Sequence, residues 1–411
     1  MLLAPIGVGG IVHPDGELAV ARAAKTVGVP YIMSTACSRS IEEVAEANGD
    51  GNRWYQLYWQ VLSSLQFYKR LIPLIPFYWR PRTNEITLSI LKRAKANGFT
   101  ALVVTLDTML LGWRPHDIET VYLPFYNGVG IQVGTSDPVF MKRFNLQPVQ
   151  GDHPKWPYNP KQEDAKCAKG DEEANKMAML GQAWLGECNS GSFRTWDEVK
   201  FLRENWDGPV VLKGIQNVAV RSHFWYIFNS CSFFVRQDAE KAIEIGVEGI
   251  IVSNHGLTSP QLIYSLYLSD SELSGGRQID GAIPSLYALD KICQSPTVCA
   301  AQKSGKLTVL FDSGIRTGSD IIKALALGAQ AVFRAFDPPL HPVWIVVLMS
   351  DHATVVGRPY MYGLAIGGEK GVEQVLRSTL SDLEVTMGLA GYKNVGEIQG
   401  KRDEIIVKVD M

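Results

Sequence analysis

Short, continuously apolar runs recur along the chain, and each is followed by a stretch in which apolar residues return with helical spacing. Runs that do not alternate with polar residues are typical of strands in a parallel sheet that is covered on both faces. The eight runs are 2–6, 31–34, 54–58, 102–106, 209–212, 249–253, 308–311 and 329–333.

The intervening stretches predict helices. Asp15 is placed to cap the first of them, and Ser40 with Glu43 forms a capping box at the second. The predicted helices are 16–27, 40–48, 85–97, 195–205, 238–246, 319–327 and 371–387. This eightfold alternation predicts an α/β fold, a (β/α)₈ TIM barrel that forms a single domain over 1–411. An open doubly wound sheet is the alternative, but no Gly-x-Gly-x-x-Gly follows the first run.

Five stretches interrupt the alternation. Segment 125–192 is polar and predicts a long excursion after the fourth strand, serving as a lid or a subunit contact. The other four are mostly poor in acids and lack helical periodicity, so we expect them to project from the barrel as poorly packed loops. They span about 60–80, 219–237, 257–274 and 334–354.

Composition and charge exclude several classes of protein. The 411 residues carry 40 Lys and Arg against 42 Asp and Glu, so no basic excess favours nucleic acid. The six cysteines are scattered without a Cys-x-x-Cys pair, which predicts reduced thiols and no metal site. No apolar stretch suits a transmembrane helix, and neither a signal peptide nor a C-terminal peroxisomal tripeptide is present. We therefore expect a cytoplasmic protein without a membrane partner.

Polar residues follow or end nearly every predicted strand, which is where barrels place function. His255 is the only histidine at a strand end, so it is the natural proton acceptor, with Asp107 to hold its ring. Arg114 and Arg277 could grip a carboxylate, and Lys213 would supply a fixed cation. A Schiff base on Lys213, as in an aldolase, is the chemical alternative.

The last two strands are followed by residues that suit a phosphate. Stretches 312–316 and 357–358 combine glycine and arginine where barrels bind phosphate through backbone N–H groups. Together with the cation, the histidine and the arginines, this pattern suggests oxidation of a small hydroxy acid by a phosphate-bearing cofactor.

Several motifs, in order, resemble those of the FMN-dependent α-hydroxy acid oxidases and dehydrogenases. They include 13–17, 53–58, 105–108, 212–214, 253–256, 276–281, 312–318 and 357–359. Stretches 4–8 and 111–117 and the long excursion are most similar to lactate 2-monooxygenase-like proteins. The resemblance implies FMN as cofactor, a short L-2-hydroxy acid such as L-lactate as substrate, O₂ as acceptor, and a homo-oligomer, either tetramer or octamer.

The resemblance also implies roles for individual residues. Its FMN-ring contacts are Pro5, Ile6, Gly7, Ser34, Gln56, Thr105 and Lys213. Its ribityl and phosphate contacts are Ser253, Asp312, Gly314, Arg316, Gly357 and Arg358. Its substrate contacts are Tyr58, Arg114 and Arg277, with His255 and Asp107 as the catalytic pair.

The sequence departs from the family pattern in two ways. Family members carry an N-terminal segment with a substrate-binding tyrosine before the first strand, so the barrel is expected to be N-terminally truncated. The four interrupting segments also separate motifs, and 257–274 parts His255 from Arg277. We interpret them as translated introns, with lineage-specific loops as the alternative. We expect the 411-residue chain to be weakly active or inactive, and an inactive barrel is the non-enzyme alternative.

Overall fold

The computed structural model describes residues 1–59, 84–107, 119, 122–189, 195–216, 238–253, 284–330 and 358–407. Its centre is a six-stranded sheet in which every strand is parallel to the next and spatial order follows chain order. The strands are β1 Tyr31–Met33, β2 Arg53–Tyr58, β3 Ala101–Thr105, β4 Val210–Ile215, β5 Gly249–Val252 and β6 Thr308–Phe311. A doubly wound sheet would reverse its order at a switch point. The sequential order instead winds as an α/β barrel does.

The chain continues the winding at both edges of the sheet. Residues 2–6, predicted as a strand, form only a parallel bridge, between Leu3 and Tyr31. At the other edge the Gln330 amide donates to the Val309 carbonyl, at 2.7 Å. The rest of the predicted eighth strand, 331–333, lies outside the described residues.

Helices cover the outside of the sheet. Those of the barrel are α1 Glu17–Val27, α2 Ile41–Asn48, α3 Asn84–Ala96, then α8 Trp196–Asn205, α9 Asp238–Ile245, α10 Ser285–Cys293, α11 Pro296–Lys303, α12 Gly318–Ala326, α13 Arg358–Leu389 and α14 Arg402–Ile405. The remaining helices, in the excursion, are α4 Gln132–Thr135, α5 Pro138–Lys142, α6 Pro160–Ala168 and α7 Glu172–Cys188. Short 3₁₀ helices span Gly9–Ile11, Pro124–Asn127 and Val395–Glu397.

Local capping explains several helix ends. The predicted box at Ser40 and Glu43 is present at α2. The predicted cap at Asp15 is wrong, because Gly16 is the N-cap of α1 and the Asp15 carboxylate instead pairs with Arg22. The predicted helix 371–387 is the second part of α13, which kinks at Gly367 and Gly368.

An apolar layer fills the inside of the sheet. Its buried side chains are Leu2, Ile32, Trp54, Ala101, Val103, Val211, Ile251 and Leu310. They come from alternate positions of neighbouring strands, because successive side chains of a strand face opposite sides. A larger core packs between the outer face and the helices. Each large aliphatic side chain buried in this way contributes roughly 1.5–3 kcal/mol.

The excursion is a packed unit rather than the polar loop that its composition suggested. Trp184 is fully buried in it and lies edge-on to Phe140, with ring centroids 5.1 Å apart. Arg93 of α3 fastens the unit to the barrel by donating to Glu42 and to the buried carboxylate of Asp137. The four interrupting segments, 60–80, 219–237, 257–274 and 334–354, lie outside the described residues.

Candidate active site

A layer of polar side chains lies directly above the apolar layer, at the carboxyl ends of the strands. Its members stand two residues after an inward-facing residue of the same strand, so the same alternation points them into the barrel. They are Ser34, Gln56, Thr105, Lys213, Ser253 and Asp312, all of them buried. The sequence predicted each of these residues for the site, and the structure brings them together.

Gln56 joins the first three strands of this layer. Its Nε2 donates to Thr105 Oγ1 at 3.0 Å. Its Oε1 accepts from the Thr35 amide at 3.1 Å and from Ser34 Oγ at 3.3 Å. These bonds fix the orientation of the side-chain amide. Thr35, which the sequence analysis missed, also accepts from the Tyr58 amide at 3.2 Å and so holds the end of β2.

Lys213 lies at the centre of the layer, between two buried carboxylates. Its Nζ is 3.5 Å from Asp107 Oδ2 and 3.5 Å from Asp312 Oδ2, and it donates to Ser253 Oγ at 3.1 Å. The next residue, Gly214, has φ 110°, and a Cβ there would stand 3.0 Å from the Cβ of Asp107. The glycine therefore lets the Asp107 strand end approach the lysine.

The end of β6 is conformationally unusual. Ser313 has φ 82° without being a glycine, and Gly314 follows at 79°. Ser313 Oγ donates to Asp312 Oδ1 at 2.7 Å, and Ser285 Oγ holds the Ser313 carbonyl at 3.0 Å. Backbone strain of this kind is concentrated at functional sites. Arg316 is exposed at the mouth, and its amide donates to Asp320.

One carboxylate oxygen at the end of β6 lacks a hydrogen-bond donor among the described residues. Asp312 Oδ2 is buried and makes no hydrogen bond within the described part of the chain, although Lys213 stands near it. A buried carboxylate oxygen without a donor is costly, so it calls for a ligand hydroxyl. A ribityl chain carries such hydroxyls, and the Lys213 cation suits an anionic ring. The residues present therefore fit FMN.

The segment that follows the bridge at Leu3 contributes its backbone to the site. Pro5, Ile6 and Gly7 are half-buried in this segment. A Cβ on Gly7 would lie 2.2 Å from the Ala36 carbonyl oxygen, so this residue packs directly on the neighbouring loop.

Several residues that the sequence predicted for the site are not among those that the structure describes. His255, Arg114, Arg277 and Gly357 fall outside the described residues. Arg358 begins α13, and its side chain is likewise not described.

The structure adds two buried polar residues that the sequence did not single out. Gln216 follows β4 and donates to the Ser253 carbonyl at 2.5 Å. Glu17, at the start of α1, accepts from two loops at the rim of the site. The polar end of an apolar run could have identified Gln216, whereas Glu17 looks like any acid in a first helical turn.

The described residues show neither a metal-binding cluster nor a membrane-spanning helix. They contain no group of three or more His, Cys, Asp or Glu side chains arranged to hold a metal ion. None of their helices combines the length and apolar character needed to cross a membrane.

Comparison with known proteins identifies a family. The model of the FMN-dependent dehydrogenases matches residues 1–72, 74–225, 232–336 and 351–405. The chain is 39% identical over 397 residues to the FMN-dependent alpha-hydroxy acid dehydrogenase qulF of Penicillium citrinum, covering 97% of this chain and 71% of that protein. It is 32% identical over 410 residues to an L-lactate oxidase of Lysinibacillus sphaericus, covering 100% and 75%.

Solved structures agree with this assignment. A mandelate oxidase variant bound to (S)-mandelic acid superposes with a TM-score of 0.57 at 28% identity, covering 98% of this chain and 76% of that one. Another structure of the variant, with a TM-score of 0.52 at 29% identity and coverage of 98% and 77%, contains an FMN adduct.

Proposed function

The chain belongs to the family of FMN-dependent α-hydroxy acid oxidases and dehydrogenases, and we propose that it oxidises L-lactate and passes the electrons to O₂. The observation that carries the proposal is the buried Lys213 among Asp107, Asp312 and Ser253, beside the fixed amide of Gln56. A cation enclosed in this way suits stabilisation of negative charge at a ring. Family membership removes the support for Schiff-base chemistry at Lys213.

The polar layer is suited to hold FMN, which supplies the acceptor for a hydride equivalent when bound. In the proposal Lys213, Gln56 and Thr105 present polar groups to the ring, and Pro5, Ile6, Gly7 and Ser34 border it. Asp312 and Ser253 would take the ribityl hydroxyls. Gly314, Arg316, Gly357 and Arg358 would bind the phosphate.

The remaining residues would bind and activate the substrate. Arg114 and Arg277 would clamp the carboxylate through paired N–H donors, and Tyr58 would bind beside them. His255 would take the proton that leaves the hydroxy acid, with Asp107 orienting its ring. Asp107 already stands 3.5 Å from Lys213, so a charge on His255 would arise beside an existing ion pair.

The choice of substrate rests on the relatives. An L-lactate oxidase supports lactate, whereas the structural relative was solved with (S)-mandelic acid. An aromatic 2-hydroxy acid is therefore the competing substrate. The homotetramer or homo-octamer that the resemblance implies remains a prediction.

We further propose that the four interrupting segments are additions to the barrel. Within the matched part of the chain the family model leaves residues 73, 226–231 and 337–350 unmatched, and these fall in three of the segments; it matches 257–274 without a gap. The sequence places 257–274 between His255 and Arg277, so we expect excision of all four segments, which rejoins these two residues, to raise turnover. A shift of even about 1 Å in such a clamp is enough to cost much of the rate.

The test is anaerobic reduction of the bound flavin, in the 411-residue chain and in the excised one. In the excised chain L-lactate should bleach the flavin absorbance, and His255→Gln should slow this at least about a hundredfold while keeping the cofactor; the 411-residue chain should respond weakly or not at all. Readmitted O₂ should restore the colour, and product analysis will separate pyruvate from acetate. Reduction by mandelate but not lactate would overturn the substrate assignment. Reduction of His255→Gln at the parental rate would overturn the base.

A further inference from the structure

Glu17 is a buried carboxylate outside every role assigned above. Its Oε1 accepts from the Gly9 amide at 2.8 Å and from the Ser38 amide at 3.0 Å. Its Oε2 accepts from Ser38 Oγ at 2.5 Å. The side chain is only 2% exposed, so three donors from two different loops replace the water that an ionised carboxylate requires.

Glu17 joins two loops at the rim of the site. One follows the bridged segment at Leu3, and the other follows strand β1. The Gly10 amide donates to Ser38 Oγ at 2.7 Å, which extends the link from Glu17. The Val8 amide donates to the Ala36 carbonyl at 2.9 Å. The loop after Gly7 is therefore fastened to the loop after Ser34 at three successive levels.

The excursion rests on the same junction. A Cβ on Gly10 would lie 2.8 Å from Ser38 Oγ and 3.0 Å from Pro154 Cγ. Pro154 belongs to the excursion and therefore seats directly on Gly10. A movement of the Gly10 loop would therefore displace the excursion at Pro154, because close-packed neighbours transmit strain.

We propose that Glu17 is a positioning residue for the cofactor: it fixes the backbone of 5–10 against 34–38, and so sets the surface that borders the FMN ring. The inference rests on the proposed function, in which Pro5, Ile6, Gly7 and Ser34 contact that ring. Glu17 itself lies behind the loops and acts through Ser38 and Gly9.

A carboxylate suits this position because Glu17 accepts all three of these hydrogen bonds and donates none. Oε1 uses two lone pairs for two amides, and Oε2 serves the hydroxyl. Glutamine would keep the Oε1 side but would turn a donor toward Ser38, whose hydroxyl would have to reorient. Alanine would leave two buried amides without an acceptor, and the loops would have to move to water.

The test is the FMN dissociation constant of refolded apoprotein, measured by quenching of flavin fluorescence. Glu17→Ala should weaken FMN binding roughly tenfold or more, the scale of losing hydrogen bonds to a charged group. Glu17→Gln should lie between Ala and the parent. The matched control is Asn48→Ala. Asn48 is equally buried and bonds the Ala21 carbonyl, but it stands at the opposite end of the strands. The Asn48→Ala variant should have a lower Tm and an unchanged FMN affinity.

Two outcomes overturn the inference. If Glu17→Ala lowers the Tm as Asn48→Ala does and binds FMN like the parent, Glu17 is merely structural, while the proposed function stands. If the parent chain binds no FMN, the proposed function fails and takes the inference with it. Should Glu17→Ala not fold, Ser38→Ala cuts the same link from the other side. An unchanged FMN affinity in that variant would equally contradict the proposal.

Discussion

Two cations stand at opposite ends of the barrel strands, and their surroundings differ in kind. Arg53 begins β2. Its Nε donates to the Asn97 carbonyl at 2.8 Å. Its Nη1 donates to the Gly49 carbonyl at 2.7 Å, the Gly51 carbonyl at 3.1 Å and Asn48 Oδ1 at 3.2 Å. Every one of these partners lies at the end of a helix or within three residues beyond it. The arginine therefore holds the bottom of the barrel together.

Lys213, near the end of β4, has looser contacts and is more deeply buried. Both of its carboxylate partners stand 3.5 Å away, and Asp312 Oδ2 has no hydrogen bond within the described ranges. Arg53 at the amino end of the barrel is held by four oxygen acceptors, whereas Asp312 at the carboxyl end keeps an acceptor for a ligand. This contrast is what separates a structural polar cluster from a binding one.

The largest expected effect comes from removing each cation. Lys213→Met leaves two buried carboxylates uncompensated and should lower the free energy of unfolding of the apoprotein by about 3–5 kcal/mol. Arg53→Met leaves carbonyl oxygens without their donor, but water can reach them. It should therefore lower the free energy of unfolding by only about 1–3 kcal/mol. Urea denaturation at neutral pH measures both. Lys213→Met should also abolish FMN binding and Arg53→Met should not; equal effects on FMN would break the contrast.

A methyl group at the rim should have the next largest effect. Gly7→Ala places a Cβ 2.2 Å from the Ala36 oxygen, too close for any real contact, so the backbone must move. Overpacking of this kind costs roughly 1–3 kcal/mol. We expect weaker FMN binding and a changed KM for the hydroxy acid. The control is Gly28→Ala at the end of α1, where the new Cβ would meet nothing and the cost comes from the φ of 76°, far from the rim. Unaltered FMN binding in Gly7→Ala would mean that 5–7 do not border the ring.

The unsatisfied oxygen offers a smaller and sharper test. Asp312→Asn keeps the shape and an acceptor for Ser313 but removes the charge, and Lys213 retains Asp107. FMN affinity should fall about tenfold, because a ribityl hydroxyl bonds a neutral amide less strongly than a carboxylate. Isothermal titration with FMN measures the change. An unchanged affinity would show that the ligand does not use Oδ2.

The smallest effect is expected at a second closed cluster, around Arg93. Burial raises the pKa of Glu42, but the hydrogen bonds and charge of Arg93 outweigh it and hold the pKa below its ordinary value of 4.5. The folded state thus binds fewer protons than the unfolded one. The contribution is present above 4.5 and is lost as pH falls through the lowered pKa.

Since the Glu42 side chain is 35% exposed, solvent screening keeps its contribution below about 1 kcal/mol. Glu42→Gln should therefore destabilise the protein slightly at neutral pH, and the difference should be smaller at about pH 3. Unfolding curves at the two pH values check this. A difference that persists in acid would assign the effect to packing instead.

The sequence predicted the residues whose signal is local. Lys213 and Asp312 stand where an apolar run ends in a polar side chain, and Gln56 interrupts such a run. Each occupies an inward-facing strand position, so its side chain points into the barrel. The sequential parallel sheet followed from the same runs. The strand predicted at 2–6 was too long, because Pro5 and Gly7 cannot sustain the ladder beyond the bridge at Leu3.

What the sequence missed depends on contacts between distant residues. The excursion appeared to be loop because its sequence is polar and the apolar positions of its helices are sparse, yet Trp184 and Phe140 build a small core across it. Asp15 failed as a cap because Arg22 draws its carboxylate away. Glu17 stood in the family-like motif 13–17, but nothing in the sequence indicated that it would join two loops, since its partner Ser38 lies 21 residues further along the chain.

The most direct test of the central claim, that the open polar layer at the carboxyl end is an FMN site, is equilibrium titration of the apoprotein with FMN in the presence and absence of FAD. The account predicts saturation at one FMN per chain and no displacement by equimolar FAD, because the stretch proposed to bind phosphate ends at Arg358 and the sequence carries no dinucleotide fingerprint. Failure to saturate, or preferential binding of FAD, would contradict it.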